Sequence, residues 1–312
     1  MQQTSYATAE PHALLWFEQS INAAVYIGAV SYGIHIAVFS ITMYFLFRPR
    51  QHHWPAAAFV AALFAMGTIN IVCNINFNEL AWIDDRNYPG GPLSFMQEQQ
   101  ALPVDTVGNS AAIVASFLAD GFLLYRCYLL WSHMPSLLVI PVLAYIASIV
   151  LSVFTVVAAA RPTSSLWAAT TLKVALPYWA LTMSLNATLS VLLISRLAWL
   201  RGKVDAALGA DHARVYTSVL AITIESALLY GIVSFIFVVL YGLQNTAENL
   251  FIPLLVQVEC IAPELIMLRV ARGTAWSKDT VAQTRVDLDA GGSETVVGNS
   301  PPSMEEKETP VV

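Results

Sequence analysis

Charged side chains are scarce in this sequence. Lys, Arg, Asp and Glu make up 12% of its 312 residues, whereas 57% of the residues are hydrophobic and the mean hydropathy is +0.61. A water-soluble chain of this length needs far more polar surface than these residues can supply. The composition therefore excludes an ordinary soluble globular protein.

Residue types that carry catalysis or bind metals are also few. The 3 cysteines, Cys73, Cys127 and Cys260, lie in or beside apolar runs and are too few for a disulfide framework. A di-iron or haem site needs several histidines inside the membrane, but only His35 lies well within a run, and we interpret it as a polar packing residue. No Gly-x-Ser-x-Gly elbow, phosphate-binding loop or Cys-x-x-Cys pair occurs. We predict no catalytic site, no metal and no cofactor, and we expect that the protein is not an enzyme.

Long apolar runs are what the sequence does contain. A helix must have about 20 residues to cross a hydrocarbon core of about 30 Å, and it satisfies its own backbone hydrogen bonds there. The runs are continuous rather than alternating, unlike the strands of a membrane barrel. We predict an all-α, polytopic membrane protein with a bundle of seven transmembrane helices. The predicted spans are residues 20–47, 54–76, 109–131, 136–160, 173–200, 215–241 and 250–270.

The segments outside the spans complete the domain organisation. Residues 1–19 form a short exterior segment, residues 20–270 the transmembrane domain, and residues 271–312 a cytoplasmic tail whose composition is typical of disorder. The acidic loop at residues 77–107 is long enough to be a lid or a ligand vestibule, with a short interfacial helix at residues 95–102. A solvated acidic connector is the alternative for this loop.

The basic residues predict the orientation of the chain. Most of its 15 Lys and Arg residues fall in the segments that would be cytoplasmic if the N-terminus were outside and the C-terminus inside. We predict that orientation, in a multi-pass protein of the plasma membrane rather than of an internal membrane.

Ionisable residues within the predicted spans are the first candidates for function. An ionised side chain at the centre of a bilayer costs at least about 2.5 kcal/mol unless it is paired. Five charged residues lie at membrane depth in these spans, namely Asp120, Arg126, Glu225, Glu259 and Glu264. We predict that Arg126 pairs with Glu225, Glu264 or both, because a guanidinium can hold two carboxylates and so form an interhelical switch. A static clamp, or an Arg that reaches the interface, is the alternative.

The acids also allow a transport function. Four acids cannot all stay ionised around a single Arg at low cost, so one of Asp120, Glu225 and Glu259 could carry a proton. A carboxyl that takes up and releases a proton at membrane depth could couple transport to a proton gradient. Protonated carboxyls also serve as passive interhelical hydrogen-bond donors.

A second polar set lies nearer the predicted exterior. Asn70 and Asn74 are four residues apart on one face of the second span, and Tyr178, Trp179 and Gln257 lie on the fifth and seventh spans. Amides and aromatic rings that converge at one end of a bundle suit an apolar ligand with a few polar groups. We predict a ligand pocket there, with an aromatic belt at the interface as the alternative explanation for Tyr178 and Trp179.

Three stretches of the chain carry a resemblance to a family. Residues 119–131, around Tyr125-Arg126-Cys127-Tyr128, together with residues 216–230 and 257–266, resemble a group of uncharacterised seven-helix membrane proteins of mushroom-forming (basidiomycete) fungi. The resemblance implies a receptor-like architecture and brings no ligand or activity with it. Fungal pheromone receptors and other G-protein-coupled receptors are similar in architecture only, and the acid that precedes Arg in their acidic-Arg-aromatic triplet is missing here.

Together these observations predict a receptor-like sensor of a small or lipophilic ligand. The alternatives are a proton-coupled small-molecule transporter and a non-catalytic membrane scaffold. We expect its partners to be the lipid bilayer, a small-molecule ligand and a cytoplasmic signalling partner, with no nucleic acid among them.

Overall fold

The fold is known from a computed structural model that describes residues 11–47, 54–160, 169–208, 210–269 and 271. Every regular element in this part of the chain is helical. The α-helices are α1 (His12–Leu46), α2 (Trp54–Glu79), α3 (Gly91–Glu98), α4 (Pro103–Leu130), α5 (Val139–Ala159), α6 (Ala169–Leu208), α7 (Ala210–Gly242) and α8 (Ile252–Arg269). A π-turn at Leu80–Asp84 and 3₁₀ turns at Pro135–Leu138 and Thr246–Leu250 connect some of them.

Seven of these helices are long and apolar enough to cross a membrane, and α3 is the short exception. The seven pack in chain order as a closed ring, in which each helix contacts the next and α8 returns to α1. α4 also contacts α6 and α8 across the ring, and α8 is the most deeply buried span. The predicted seven-helix bundle is therefore confirmed, and the chain is an integral membrane protein.

The distribution of polar side chains in α5 shows why the bundle suits lipid rather than water. Its inward face carries Ser148, Ser152 and Thr155, all buried, and their hydroxyls donate to backbone carbonyls of the same helix. Its outward face carries Ile140, Leu143 and other large apolar side chains that are more than half exposed. Small residues at the contacts let helices approach closely, while the apolar outer face matches hydrocarbon.

Helices α6 and α7 are longer than the sequence predicts. The predicted spans at residues 173–200 and 215–241 leave residues 201–214 as a connection, but α6 continues to Leu208 and α7 begins at Ala210. Lys, Arg, Ala and Leu are strong helix formers, so the polar residues mark where the apolar span ends and not where the helix ends. The two helices consequently extend together beyond the apolar part of the bundle.

The short helix α3 defines one end of the bundle, which we call the α3 end. It lies at Gly91–Glu98 rather than at the expected residues 95–102, because Gly90 has a positive φ of 87° that starts the helix and a proline follows in its first turn. At the same end α1 begins at His12, eight residues before the predicted span. The predicted tail lies outside the described residues except for Ala271.

The three cysteines are free, as the sequence predicts. Cys127 and Cys260 are buried and Cys73 is partly buried. Cys127 donates a long hydrogen bond from Sγ to the Leu189 carbonyl, at 3.4 Å. These residues therefore act as small packing groups between helices.

Candidate functional site

The predicted switch around Arg126 does not form in this structure. The Arg126 side chain is buried with Nη1 unpartnered, and its guanidinium carbon lies 5.5 Å from the centre of the Phe122 ring. No ion pair joins Arg126 to Glu225 or Glu264 within the described residues. Glu225 is exposed on the outer face of α7, because the buried stripe of that helix runs through Thr223, Ser226 and Tyr230 about 100° away. The clamp hypothesis is thus wrong for this conformation.

Glu264 instead contacts His35, which the sequence analysis treated as a packing residue. The Oε1 atom of Glu264 lies 3.1 Å from Nε2 of His35, and both side chains are fully buried. On the other side of the ring, His35 Nδ1 lies 2.7 Å from Oε1 of Gln257. Helix α1 supplies the histidine, and α8 supplies both of its partners, seven residues apart on one face of the helix.

The protons of this network can be assigned from its partners. Gln257 Nε2 donates to the Gly67 carbonyl at 3.2 Å, so its Oε1 must face His35, and an amide oxygen can only accept. Nδ1 of His35 therefore carries a hydrogen. The remaining contact, between Nε2 and Glu264, then holds one proton, on either the ring or the carboxyl. In both arrangements the pair is electrically neutral overall, which explains how it can be fully buried at membrane depth.

Gly67 makes room for this network on α2. A Cβ at residue 67 would lie 3.0 Å from Cε1 of His35, 3.1 Å from its Nδ1 and 3.4 Å from Oε1 of Gln257. The ring of Phe64, one turn earlier, packs edge-on against His35 with centroids 5.3 Å apart. The absence of a side chain at residue 67 is what lets a polar ring approach the backbone of α2.

A second polar group lies between α4, α6, α7 and α8. Asp120 on α4 accepts a hydrogen bond of 3.4 Å from Asn186 on α6, and both are buried. Glu259 on α8 is buried as well and lies near Asp120, beside the hydroxyls of Ser116 and Tyr230. The prediction that Asp120 and Glu259 are buried ionisable residues thus agrees with their positions, and the fold brings their carboxyls into one neighbourhood.

Glu259 and Asn186, the hydrogen-bond partner of Asp120, line an internal cavity that we call the central cavity. It is small, with a volume of about 20 Å³, which is room for about one water-sized group such as an ammonium. Its polar lining comes from α6, α7 and α8, and consists of Asn186, Ser190, Thr223, Ser226, Tyr230 and Glu259. Oε1 of Glu259 and Oγ of Ser226 are buried without a hydrogen-bond partner. Two polar groups in the cavity wall are therefore left unsatisfied by the protein itself.

The residues of the predicted exterior pocket are divided among different places. Gln257 belongs to the His35 network, and Asn70 donates to the Gly108 carbonyl at 3.0 Å. Tyr178 is buried next to Trp179, whose ring packs edge-on against Phe237 on α7. Residues that share an end of the bundle point toward different neighbours, because each helix has its own rotation about its axis. The predicted grouping is wrong for these four residues.

Asn74 alone of that set lines a cavity at the α3 end, which we call the outer cavity. It is open, has a volume of about 100 Å³, and is bounded by α1, α2, α4 and α8 together with Met96 of α3. Apolar residues such as Ile71, Phe77 and Pro253 form most of its wall. Its polar lining residues are Asn74, Asn78, Gln100, Asp105, Asn109 and Asn249.

Two of these lining residues, Asn78 and Asn249, each have a buried amide oxygen, Oδ1, without a hydrogen-bond partner. The orientation of the Asn249 amide follows from its contacts. The Ser20 hydroxyl donates to the Phe17 carbonyl at 2.7 Å, so its oxygen is left to accept from Nδ2 of Asn249 at 3.0 Å. The outer cavity therefore offers acceptor oxygens in a largely apolar wall.

Sequence reasoning missed His35, Asn78 and Asn249. His35 could have been identified from the sequence, because removing a histidine from water within a span is costly, as it is for an acid, unless the side chain has a partner. Asn78 and Asn249 lie at or beyond the ends of the predicted spans, where amides are common, and nothing in their spacing pairs them. They meet in one cavity because α2 packs against α8 and the Thr246–Leu250 turn directly precedes α8.

Comparison with other proteins gives no family for this chain. No family model, curated protein or solved structure matches it. The structural description of the chain is that of an integral membrane protein with seven apolar helices.

Proposed function

We propose that this protein is a receptor-like sensor that binds a small, largely apolar ligand in the outer cavity. The observation that carries the proposal is the pair of unpartnered amide oxygens, Asn78 Oδ1 and Asn249 Oδ1, in the apolar wall of that cavity. Few polar groups in a mostly apolar concavity are characteristic of small-molecule sites. Because both free atoms are acceptors, the ligand should carry hydroxyl or amine hydrogens that it can donate.

A route for the signal runs along α8. Pro253 lines the outer cavity, and Gln257 lies one helical turn further along, where it accepts from His35. Glu264 continues the same face toward the opposite end of the bundle. A ligand that shifts Pro253 would strengthen or weaken the hydrogen bonds of Gln257. If those bonds differ between two arrangements of the helices, the ligand favours one arrangement over the other.

The cellular setting in this proposal follows the charge distribution and the resemblance described above. The N-terminus and the outer cavity face the outside of the cell, the C-terminus faces the cytoplasm, and the membrane is the plasma membrane. The partner that receives the signal is cytoplasmic and would meet the end of the bundle opposite α3.

The proposal is tested by binding to the full-length protein in lipid nanodiscs. A library of small, apolar hydrogen-bond donors is screened for compounds that raise the unfolding temperature. For each such compound we expect Asn78→Ala and Asn249→Ala to weaken binding about fivefold, the value of one hydrogen bond. Asn76→Ala is the matched control, because Asn76 is exposed two residues away on the same helix. Equal affinities in all three variants would contradict the proposal.

A second candidate function is proton-coupled transport of a small molecule. The observation that favours it is the proximity of Asp120 and Glu259 beside the central cavity, where a proton and a substrate could compete for the same carboxyls. In proteoliposomes under an imposed pH gradient, a transporter would show uptake that Glu259→Gln abolishes and Glu225→Gln leaves intact. Ligand binding at the outer cavity without any flux would favour the sensor.

A further inference from the structure

A groove on the outside of the bundle leads toward the central cavity. It lies between α6 and α7 and has a volume of about 390 Å³. Its outer side is lined by Met183, Ala187, Leu228, Ile232 and Phe235. Leu228, Ile232 and Phe235 are each 58–60% exposed, although they are large and apolar. In a membrane protein such a surface is in contact with lipid chains.

The groove lies at the depth of the hydrocarbon core. The apolar span of α7 is Val219–Gly242, and residues 227–235, which border the groove, occupy its middle. Water-soluble molecules have little access to this depth, whereas membrane-dissolved molecules are concentrated there. Any ligand of the groove would therefore arrive from the bilayer.

Groove and central cavity share a boundary. Asn186, Ser190, Ala227 and Tyr230 line both spaces. A molecule that lay in the groove with one end between Asn186 and Tyr230 would bring that end to Glu259. The neighbouring spaces thus form an apolar outer compartment and a polar inner one.

The inner compartment is acidic and lacks a cation. Asp120 and Glu259 lie near each other, and neither forms an ion pair with a basic side chain in the part of the chain that the structure describes. Glu259 is 97% buried, lines the central cavity, and keeps Oε1 unpartnered, and Ser226 Oγ beside it is unpartnered too. A positively charged group with several N–H donors would satisfy both oxygens and offset the charge of a carboxylate.

We propose that the central cavity and the α6–α7 groove together bind a lipophilic amine taken from the bilayer, with its ammonium group at Glu259 and Asp120 and its apolar chain in the groove. A fatty acid is disfavoured because its carboxylate would face two acids. A fatty alcohol could donate one hydrogen bond but would leave the carboxyls without a counter-charge. The site shares no lining residue with the outer cavity, so it does not depend on the sensor proposal.

The first test uses photolabelling of the unmodified protein in nanodiscs. The probe is dodecylamine with a diazirine at the chain end, and the control is the dodecanol that carries the same diazirine. We expect the amine to form adducts on α6 and α7 at groove residues such as Met183 and Phe235, with about tenfold less labelling by the alcohol at equal membrane concentration. Equal labelling by the two probes, or adducts spread evenly over all lipid-facing helices, would overturn the proposal.

The second test removes the carboxyls one at a time. Glu259→Gln and Asp120→Asn should each lower amine labelling of the groove about tenfold, because each removes a charge-assisted contact. Glu225→Gln is the matched control, since Glu225 is an exposed acid on α7 that faces away from the cavity. Unchanged labelling in Glu259→Gln overturns the proposal. If a variant fails to fold, the proposal is still tested by comparing amine and alcohol labelling of the native protein.

The route from the bilayer has its own control. A Cβ at Gly231 meets no atom within 4 Å, so Gly231→Leu should fill the groove without disturbing the bundle, and Gly33→Leu on α1 is an equally open control. We expect Gly231→Leu to reduce labelling by dodecylamine, and propylamine in the aqueous phase to compete weakly. If Gly231→Leu is labelled by dodecylamine as strongly as the native protein, and propylamine competes strongly, the amine enters the cavity from water. That result would refute a ligand taken from the bilayer.

Discussion

At the scale of single residues, His35 is the centre of the most constrained polar group in the molecule. Its ring is fixed from both sides by Gln257 and Glu264, and Gln257 in turn is fixed by the Gly67 carbonyl. The Gly67 carbonyl and the Gln257 amide oxygen can only accept, so the protons on Gln257 and on Nδ1 of His35 are fixed. The proton between His35 and Glu264 can lie on either residue. The network therefore joins α1, α2 and α8. Replacing one of its side chains with an apolar one would leave a buried polar partner without its hydrogen bond.

A double-mutant cycle should detect this coupling. His35→Leu leaves Glu264 without its partner, and Glu264→Leu leaves Nε2 of His35 without one, although Nδ1 keeps Gln257. We therefore expect the double variant to be less than additive, with a coupling energy of about 1 kcal/mol in the free energy of unfolding. Reversible unfolding of the protein in mixed micelles would measure it. The cycle of Arg126→Leu and Glu225→Leu is the control and should be additive, because the structure keeps those residues apart. Additivity in both cycles would contradict the network.

Gly67 provides an independent test of the same site. Gly67→Ala places a methyl group about 3 Å from the His35 ring. We expect it to destabilise the protein by about 1–3 kcal/mol, although alanine is the better helix former. Gly33→Ala, where the space is open, should be neutral or slightly stabilising. Thermal unfolding in nanodiscs distinguishes the two, and equal effects would mean that the His35 ring moves aside freely.

At the scale of elements, α8 connects the two buried polar groups. Gln257 and Glu264 face α1 and α2, whereas Glu259, two residues and about 200° from Gln257, faces the central cavity. A rotation of α8 about its axis would alter both groups together. This makes α8 the helix through which the outer cavity, the His35 network and the central cavity can influence one another.

Helix α3 is the element whose position depends most on backbone conformation. Gly90 has a φ of 87°, and a side chain there would meet Ser94. Gly90→Ala should cost about 1–2 kcal/mol locally and loosen α3 over the outer cavity. We expect faster hydrogen exchange in peptides that cover Gly91–Glu98, with the spans unchanged, and no such effect for Gly202→Ala in the interior of α6. Unaltered exchange in α3 would show that the glycine is not required.

At the scale of the whole molecule, the bundle is inverted relative to a soluble protein. Large apolar side chains cover the outside, and hydroxyls, amides and carboxyls lie inside in hydrogen-bonded groups. An environment without water cannot satisfy polar groups on the surface, so the polar residues collect where other helices can satisfy them. Both cavities fit this arrangement, because polar groups whose hydrogen bonds the helices do not complete lie in the cavity walls.

The topology makes a prediction about the two chain ends. The seven spans in the described part of the chain predict N- and C-termini on opposite sides of the membrane, and the basic residues predict an exterior N-terminus. On intact cells, a membrane-impermeant reagent should label a tag at the N-terminus, and a tag at the C-terminus only after permeabilisation. Labelling of both tags on intact cells would contradict the odd number of spans, and the reverse result would invert the orientation.

The outcome for particular residues shows how far the sequence could lead. Asp120, Glu259 and Glu264 were recognisable as buried groups because an ionisable residue in an apolar run must be enclosed by protein. Their partners were not recognisable. Glu264 was expected to face Arg126, yet it faces His35 across more than two hundred residues of chain. Glu225 is also an acid within an apolar run, but it lies on the exposed face of α7. Position along the run predicts depth in the membrane and does not predict which way a side chain points around the helix axis.

The class of the protein follows from the sequence alone, because the length and continuity of the apolar runs reflect bilayer thickness and need no knowledge of neighbouring helices. The sequence also determined which residue types are too costly to leave unpaired. The tertiary structure alone decided which of them meet. Pairing depends on how each helix is turned about its axis and on which helices are adjacent in the ring, and a change of one residue in the register of a helix redirects its side chains by about 100°. The cavities are set by the same rotations, so they too belong to the packed bundle and not to any one helix.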